Sequence, residues 1–399
     1  MAHLTKPELE ALSARAYQAM RRYPNVHAVA IGNRMRGGRT VKELVLAVFV
    51  SRKLGQSDLA PDDIIPSEFE GIPTDVVEMG QPKLLLELGE VPGVESANSD
   101  STKHRPLKGG MQISGSPLTS PRGQGTMGFF VREKGKDPRQ GMGVTNWHVL
   151  FDKDHPHGTD TNARVGNPSA NADDSGSFGA VVASDYSGSS SADPNIPDLL
   201  PRTDSALIGL DPNTEWVAEI QCIGNITGFH SLTNEEGQSQ AYKVRKYGRT
   251  TRLTGGTIMY APYVGTAKGK NVPDRIYHNG LAIMPNSSLA DQAVMFADEG
   301  DSGSAIVNAA NEIVGVLFAA QVEKGESLWG WGVAFPITAL IDKYKEKGIE
   351  LIVATATKLN DIQRTPAAAA TKLEAAVVDE IALARQLEAE LLLSEKGRG

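Results

Sequence analysis

The chain opens on a helical period. Between 6 and 22 the apolar residues Leu9, Leu12, Ala16 and Met20 recur every three or four positions, one stripe of an amphipathic helix. Thr5 and Glu8 have capping-box spacing at its start, and Pro24-Asn25 stops it. The pattern then changes to strands over 26–31 and 41–50, joined by the turn-prone Arg36-Gly37-Gly38. The second run, VKELVLAVFV, alternates and then becomes wholly apolar. A loop rich in Pro and Asp and a third short strand over 74–79 complete an α+β unit. It carries no nucleophile-and-base pattern, so it reads as structural or docking.

From 91 to 125 the chain is rich in Gly, Ser and Pro, and a domain boundary is expected there. Beyond it, short apolar runs alternate with turn signals: 128–131, 143–150, 180–183, 205–210, 241–244, 257–262, 293–296, 305–307, 313–319 and 331–335. Many short strands without an intervening helical period point to a barrel or sandwich. The polar, low-complexity stretch 184–197 reads as a surface loop. Near the end, Thr365-Pro366 is a helix start, and Leu373, Val377, Ile381, Ala384, Leu387 and Leu391 share one helical face. That face is expected to pack on its own protein, a copy of it or a partner. The expected organisation is an N-terminal α+β accessory domain (1–105), a β-rich domain (106–345) and a C-terminal helical extension (346–399).

Composition narrows the class. Forty Lys+Arg against 48 Asp+Glu give a formal charge of −8, which argues against general nucleic-acid binding. No apolar stretch approaches the ~20 residues of a membrane span, and none resembles a secretory apolar core. A single cysteine, Cys222, excludes an intrachain disulfide and reads as a small core residue. A reducing, cytoplasmic setting is the expectation.

The strongest chemical signal is Asp298-Glu299-Gly300-Asp301-Ser302-Gly303-Ser304, directly before the apolar run Ala305-Ile306-Val307. Acyl transfer needs a hydroxyl on a tight turn, with backbone N–H groups aimed where negative charge develops. Glycines at 300 and 303 let the backbone turn sharply beside Ser302. Taken alone, the stretch could equally be an ordinary β-turn. Two further segments change the balance. Thr145-Asn146-Trp147-His148-Val149 offers a base, which a serine hydroxyl needs at neutral pH. Thr203-Asp204-Ser205-Ala206 offers a carboxylate at a strand entrance, able to orient an imidazole.

In the order His, Asp, Ser, on a strand-rich background, these segments resemble the chymotrypsin-like (trypsin-like) serine peptidases. Lys246-Tyr247-Gly248-Arg249-Thr250-Thr251-Arg252-Leu253-Thr254-Gly255-Gly256 is similar to a hairpin that bacterial members carry before the serine. The IPTDVVE and RPLKGG segments are similar to narrow-leaf-type members of bacteria and plants. The resemblance implies a mainly β fold, a chymotrypsin-like double β-barrel, flanked here by the small N-terminal domain and the C-terminal helix. It implies Ser302 as nucleophile, His148 as general base and acid, Asp204 as orienting carboxylate, and the N–H groups of Gly300 and Ser302 as oxyanion hole. In members activated by cleavage, the residue matching Asp301 pairs with a freed amino terminus. No activation sequence precedes the expected barrel start near Gly110, so Asp301 is expected to find another partner.

Departures from the family pattern bear on specificity. Phe296 stands where trypsin-type members hold an acid, and Ala320 where many have Gly. With Phe318 they suggest an uncharged pocket for a small or apolar side chain. Trp147 replaces a small residue and is expected to shape the cleft; Ser304 replaces a second Gly. His155 and His157, among acidic neighbours, match no metal-ligand spacing and read as a solvated loop. The sequence therefore implies a restricted serine endopeptidase without cofactor or metal. It would act on proteins or peptides, bind neither nucleic acid nor membrane, and answer to a regulatory partner or self-association through its terminal helices. The alternative is a peptidase-fold interaction module, or a latent protease opened by a partner.

Overall fold

The computed structural model describes residues 4–37, 39–85, 87–88, 102–115, 123–137, 139–151, 163–169, 176–186, 203–269, 274–286, 295–321 and 330–356. Helix Lys6–Met20 begins as its spacing predicts, with the Thr5 N–H donating to Glu8 Oε2 at 2.7 Å. Leu9, Leu12, Ala16, Tyr17 and Met20 are buried against Val29, Ile31, Leu46 and Val48 of the two strands that follow. Full burial of a leucine contributes about 1.5–3 kcal/mol, so this stripe alone holds the helix down.

Six strands, Tyr242–Gly248, Arg252–Ala267, Arg275–Pro285, Ala305–Val307, Glu312–Ala320 and Gly332–Pro336, pair antiparallel into a closed ring. Ile258, Ile283, Phe296, Ile306, Val314 and Leu317 belong to its core. A second sheet of nine strands includes Phe129–Glu133, Met142–Thr145, Ser177–Asp185 and Ser205–Leu210. The fold is mainly β: one closed six-strand antiparallel barrel with further sheets beside it.

The N-terminal strands do not stand apart from this body. Val26–Arg36 pairs antiparallel with Arg252–Ala267, with Ala28 opposite Gly265 and Ala30 opposite Tyr263, and so continues the closed ring's sheet. Arg39–Val50 adds to it, and Ile72–Glu78 runs parallel beside that. The wholly apolar half of 41–50 follows from this position. Leu46 and Val48 face the helix, while Phe49 packs edge-on against Tyr260 and Tyr263. A strand covered on both faces has no polar side to show. One compact unit spans Met1–Ala356, across the boundary expected near 105. Its end also lies past 345: helix Ile337–Glu346 leads to strand Leu351–Val353, which pairs with Phe129–Glu133 at the edge of the nine-stranded sheet.

Several local expectations are corrected. The run 143–150 is a strand only to Thr145; Asn146 breaks it, and His148 sits in the helical turn Trp147–Leu150. Residues 295 and 296 are not in a strand. The eleven-residue strand Arg275–Pro285 has no counterpart in the pattern, because His278-Asn279-Gly280 imitates a turn. Asn279 has φ 56°, and the pairing with Arg252–Ala267 shifts register there, as at a bulge. Cys222 is exposed at φ 58°, not in the core. No helix among the described residues is long and apolar enough to cross a membrane. The loop expected over 184–197 is described only to Tyr186. His155, His157 and the helix expected after Thr365-Pro366 lie outside the described residues.

Candidate active site

Adjacent strands bring the first two candidates together. Met142–Thr145 pairs with Ser205–Leu210 so that Thr145 lies opposite Ala206. His148 is three residues beyond Thr145 and Asp204 two before Ala206, so the ladder delivers both to the same sheet end. The His148 N–H donates to Asp204 Oδ1 at 3.1 Å, and His148 Nδ1 lies 2.5 Å from Oδ2. Asn146 Nδ2 donates to the Asp204 carbonyl at 2.6 Å, bracing the two segments. On the other side of the imidazole, His148 Nε2 is 2.7 Å from Ser302 Oγ. With Nδ1 donating to the carboxylate, Nε2 is left as the acceptor for the serine proton. The three residues matched by spacing thus form one hydrogen-bonded chain across 154 positions of sequence.

The serine stands on the turn the glycines were expected to permit. Gly300 and Gly303 have φ 94° and 93°. A Cβ on Gly303 would lie 2.3 Å from the Thr126 carbonyl, so no other residue fits there. Asp301 finds the partner its sequence context left open. Lys246 Nζ donates to Asp301 Oδ2 at 3.1 Å, with both side chains fully buried. The N–H groups of Thr250 and Thr251 donate to Oδ1 at 2.9 and 3.2 Å, and the Thr251 hydroxyl donates to Oδ2. A Cβ at Gly248 would collide with that carboxylate. The Gly248-Arg249-Thr250-Thr251 stretch is therefore a cradle for Asp301. Burial pushes the Lys246 ammonium down from its ordinary value, and Asp301 opposes that. The Thr126 hydroxyl donates to the Gly300 carbonyl at 2.9 Å, so the loop is held from both sides.

Some partners carried no signal in the sequence. The Tyr277 hydroxyl donates to Asp204 Oδ2 at 3.2 Å from the strand that the pattern concealed. Burial first, then the neighbouring Asp204, raises its phenol well above the ordinary value, so it stays a donor. Lys246 could have been suspected from its place two residues before the Gly-Arg-Thr-Thr stretch. Trp147 does not line open space: it is buried and stacks on Tyr186 with ring centroids 3.9 Å apart.

Of the three pocket candidates, Phe296 and Ala320 share one apolar cluster with Leu85 and Ala297. The Phe296 ring lies where Gly332 and Gly256 leave room for it. The Phe318 ring instead lies tilted against Tyr277 with ring centroids 4.1 Å apart, and the Phe318 main chain meets the serine, whose hydroxyl lies 3.2 Å from its carbonyl. The whole arrangement is covered: Ser302 and Asp204 are 0% exposed and His148 1%. Two surface grooves of about 340 and 420 Å³ lie elsewhere, beside Lys6 and Asp342 and beside Arg15 and Glu70.

No known protein-family pattern matches the chain, and no curated protein sequence does. Solved structures do. Protease A of Thermobifida fusca is 18% identical over 62% of this chain and 98% of its own, with a TM-score of 0.39. A glutamic-acid-specific serine protease with a histidine triad in substrate binding is 16% identical over 62% and 100%, at 0.40. A Nocardiopsis protease is 15% identical over 62% and 98%, also at 0.40. At these scores the neighbours lend the chemistry no weight, which rests on the distances above.

Proposed function

We propose that the protein is a serine endopeptidase working through an acyl-enzyme. One observation carries the reading: the His148 imidazole lies within hydrogen-bond reach of both Asp204 Oδ2 and Ser302 Oγ. In this mechanism His148 Nε2 takes the Ser302 proton as Oγ attacks a peptide carbonyl. The imidazolium that forms is stabilised by Asp204, which also fixes the tautomer. The N–H groups of Gly300 and Ser302 meet the oxyanion, and the Lys246–Asp301 pair holds that loop without any freed amino terminus. His148 then protonates the leaving amine, and water resolves the ester by the same route. Every group is a side chain or backbone N–H of this chain, so the reading needs no cofactor.

The apolar lining by Phe296, Ala297 and Ala320 supports a small or apolar side chain before the cut bond. Protein or peptide substrates and an intracellular setting belong to the same reading. The burial of Ser302 and His148 favours a second form of it, an enzyme latent until its cleft is uncovered. A fluorophosphonate probe tests the first claim. Labelling is expected at Ser302 and is expected to vanish in Ser302→Ala and His148→Ala. Equal labelling of wild type and Ser302→Ala would place any reactive group elsewhere.

A further inference from the structure

The chain's own N-terminal region reaches the loop that carries Ser302. After strand Ile72–Glu78 the backbone enters the cleft, and Lys83–Leu84 pairs antiparallel with the end of Glu312–Ala320. Lys83 lies opposite Ala320 and Leu84 opposite Ala319. The Leu84 N–H also donates to the Lys268 carbonyl at 2.9 Å, and the Lys268 N–H returns a bond to Pro82. One residue further, the Leu85 N–H donates to the Phe318 carbonyl at 3.4 Å. The same carbonyl is the one 3.2 Å from Ser302 Oγ.

The Leu85 carbonyl oxygen accepts from the Gly300 N–H at 2.9 Å. Gly300 supplies one of the two donors the mechanism reserves for an oxyanion. The Leu85 side chain, 0% exposed, lies in the apolar cluster with Phe296, Ala297 and Ala320. Beyond the bond, Glu87–Leu88 pairs with Gly123–Thr126 of the nine-stranded sheet, Glu87 opposite Gln124. The Thr126 N–H in turn donates to the Ser302 carbonyl at 2.8 Å.

An edge strand added to a sheet would account for the Lys83–Leu84 pairing alone. It would not account for an oxygen on Gly300, a side chain in the apolar pocket and a continuation paired to the opposite sheet. Those features together set the Leu85 carbonyl on the oxyanion donor, with the Leu85 N–H on the same Phe318 carbonyl that Ser302 Oγ meets. We infer that the chain is its own first substrate, cut at the peptide bond after Leu85. This rests on the peptidase reading above.

In that step Ser302 Oγ bonds to the Leu85 carbonyl carbon and its proton passes to His148. The bond from that carbon to the following nitrogen breaks, and His148 protonates the departing amine. Water then attacks the ester, leaving a Leu85 carboxylate and restoring the serine. The substrate class is a peptide segment with leucine before the cut bond, and the consequence is a cleft opened to other chains. Glu87–Leu88 is paired to Gly123–Thr126, so the two pieces stay together until that pairing opens, and self-cutting is slow beside the cutting of a free peptide.

The test is intact-mass analysis of the full-length protein incubated overnight near pH 8, alongside Ser302→Ala, Leu85→Ala and Leu85→Asp. Wild type is expected to yield two pieces, one ending at Leu85, whose masses sum to the chain plus one water. Ser302→Ala is expected to stay whole. Leu85→Ala, which empties much of the pocket, is expected to cut at least ~10-fold more slowly. Leu85→Asp is expected to stay whole but to take up fluorophosphonate faster than uncut wild type, since a carboxylate does not settle in the apolar pocket. A wild type that labels at Ser302 and remains whole, or is cut at another bond, overturns the inference and leaves the peptidase standing. Wild type and Leu85→Asp both whole and both unlabelled overturn the two together.

Discussion

Asp204 and Asp301 are both buried carboxylates at one cleft, and their surroundings differ in kind. Asp204 meets the His148 ring, the His148 N–H and the Tyr277 hydroxyl, all formally neutral donors when the enzyme rests. Asp301 meets the Lys246 side chain, together with backbone N–H groups of Thr250, Thr251 and Asp298. The first is arranged for a partner whose charge changes during the reaction. The second is arranged for a partner whose charge does not, so it serves as an anchor that fixes Gly300. The difference separates two costs: damage to Asp204 falls on turnover, and damage to the Asp301 pair falls on stability as well.

Asp204→Asn is expected to lower turnover of an exposed peptide by about 10⁴-fold, because the imidazole loses its tautomer and its counter-charge. Its unfolding midpoint in urea is expected to move little. A large loss of stability with turnover preserved would reverse the assignment of roles. Lys246→Met is expected to do both kinds of damage. Removing one partner of a buried pair costs about 3–5 kcal/mol, read as a lower urea midpoint. Misplacing the Gly300 donor is expected to cost roughly 10²–10³ in turnover. Unchanged stability would show that Asp301 is held by its backbone donors alone.

Acid sharpens the contrast at a third buried group, His27 in the N-terminal lobe. Burial lowers its pKa from 6.5 to about 4, while Nε2 keeps a 2.7 Å bond to the Met79 carbonyl. The unfolded chain binds the proton more readily, so the stability from neutral His27 is full above about 6.5. It is lost as pH falls toward 4, by ~3 kcal/mol in all. Melting curves from pH 7 to 4 should fall more steeply for wild type than for His27→Gln; parallel curves would remove His27 from the account. Tyr277→Phe is the smallest expected effect. It removes one of three donors to Asp204, costs about 1 kcal/mol in urea unfolding and changes turnover less than ~10-fold. A loss near that of Asp204→Asn would make the hydroxyl part of the proton path.

The elements read most surely from the sequence are those written by local rules. The helix from Lys6 shows its stripe because 3.6 residues make a turn, and its capping box because Thr5 and Glu8 are one turn apart. The turn bearing Ser302 needs backbone that only glycine supplies, so Gly300 and Gly303 mark it in the letters themselves. Strand Arg275–Pro285 was hidden because Asn279 and Gly280 serve a bulge there and a turn elsewhere, and the letters are the same.

The site divides along the same line. Residue types and their order named His148, Asp204 and Ser302, since chemistry restricts what can act as base, orienter and nucleophile. The resemblance also named Gly300 as an oxyanion donor, and it left the partner of Asp301 open. Only the tertiary structure decided that Lys246 answers Asp301, that Tyr277 reaches Asp204 and that Phe318 lends its carbonyl in place of its ring. It alone set the Leu85 carbonyl on Gly300, more than two hundred residues along the chain. Local pattern is fixed by backbone geometry over a few residues. A partner across the chain is fixed by which strands pair and in what register, and pairing leaves no mark in the letters at either end.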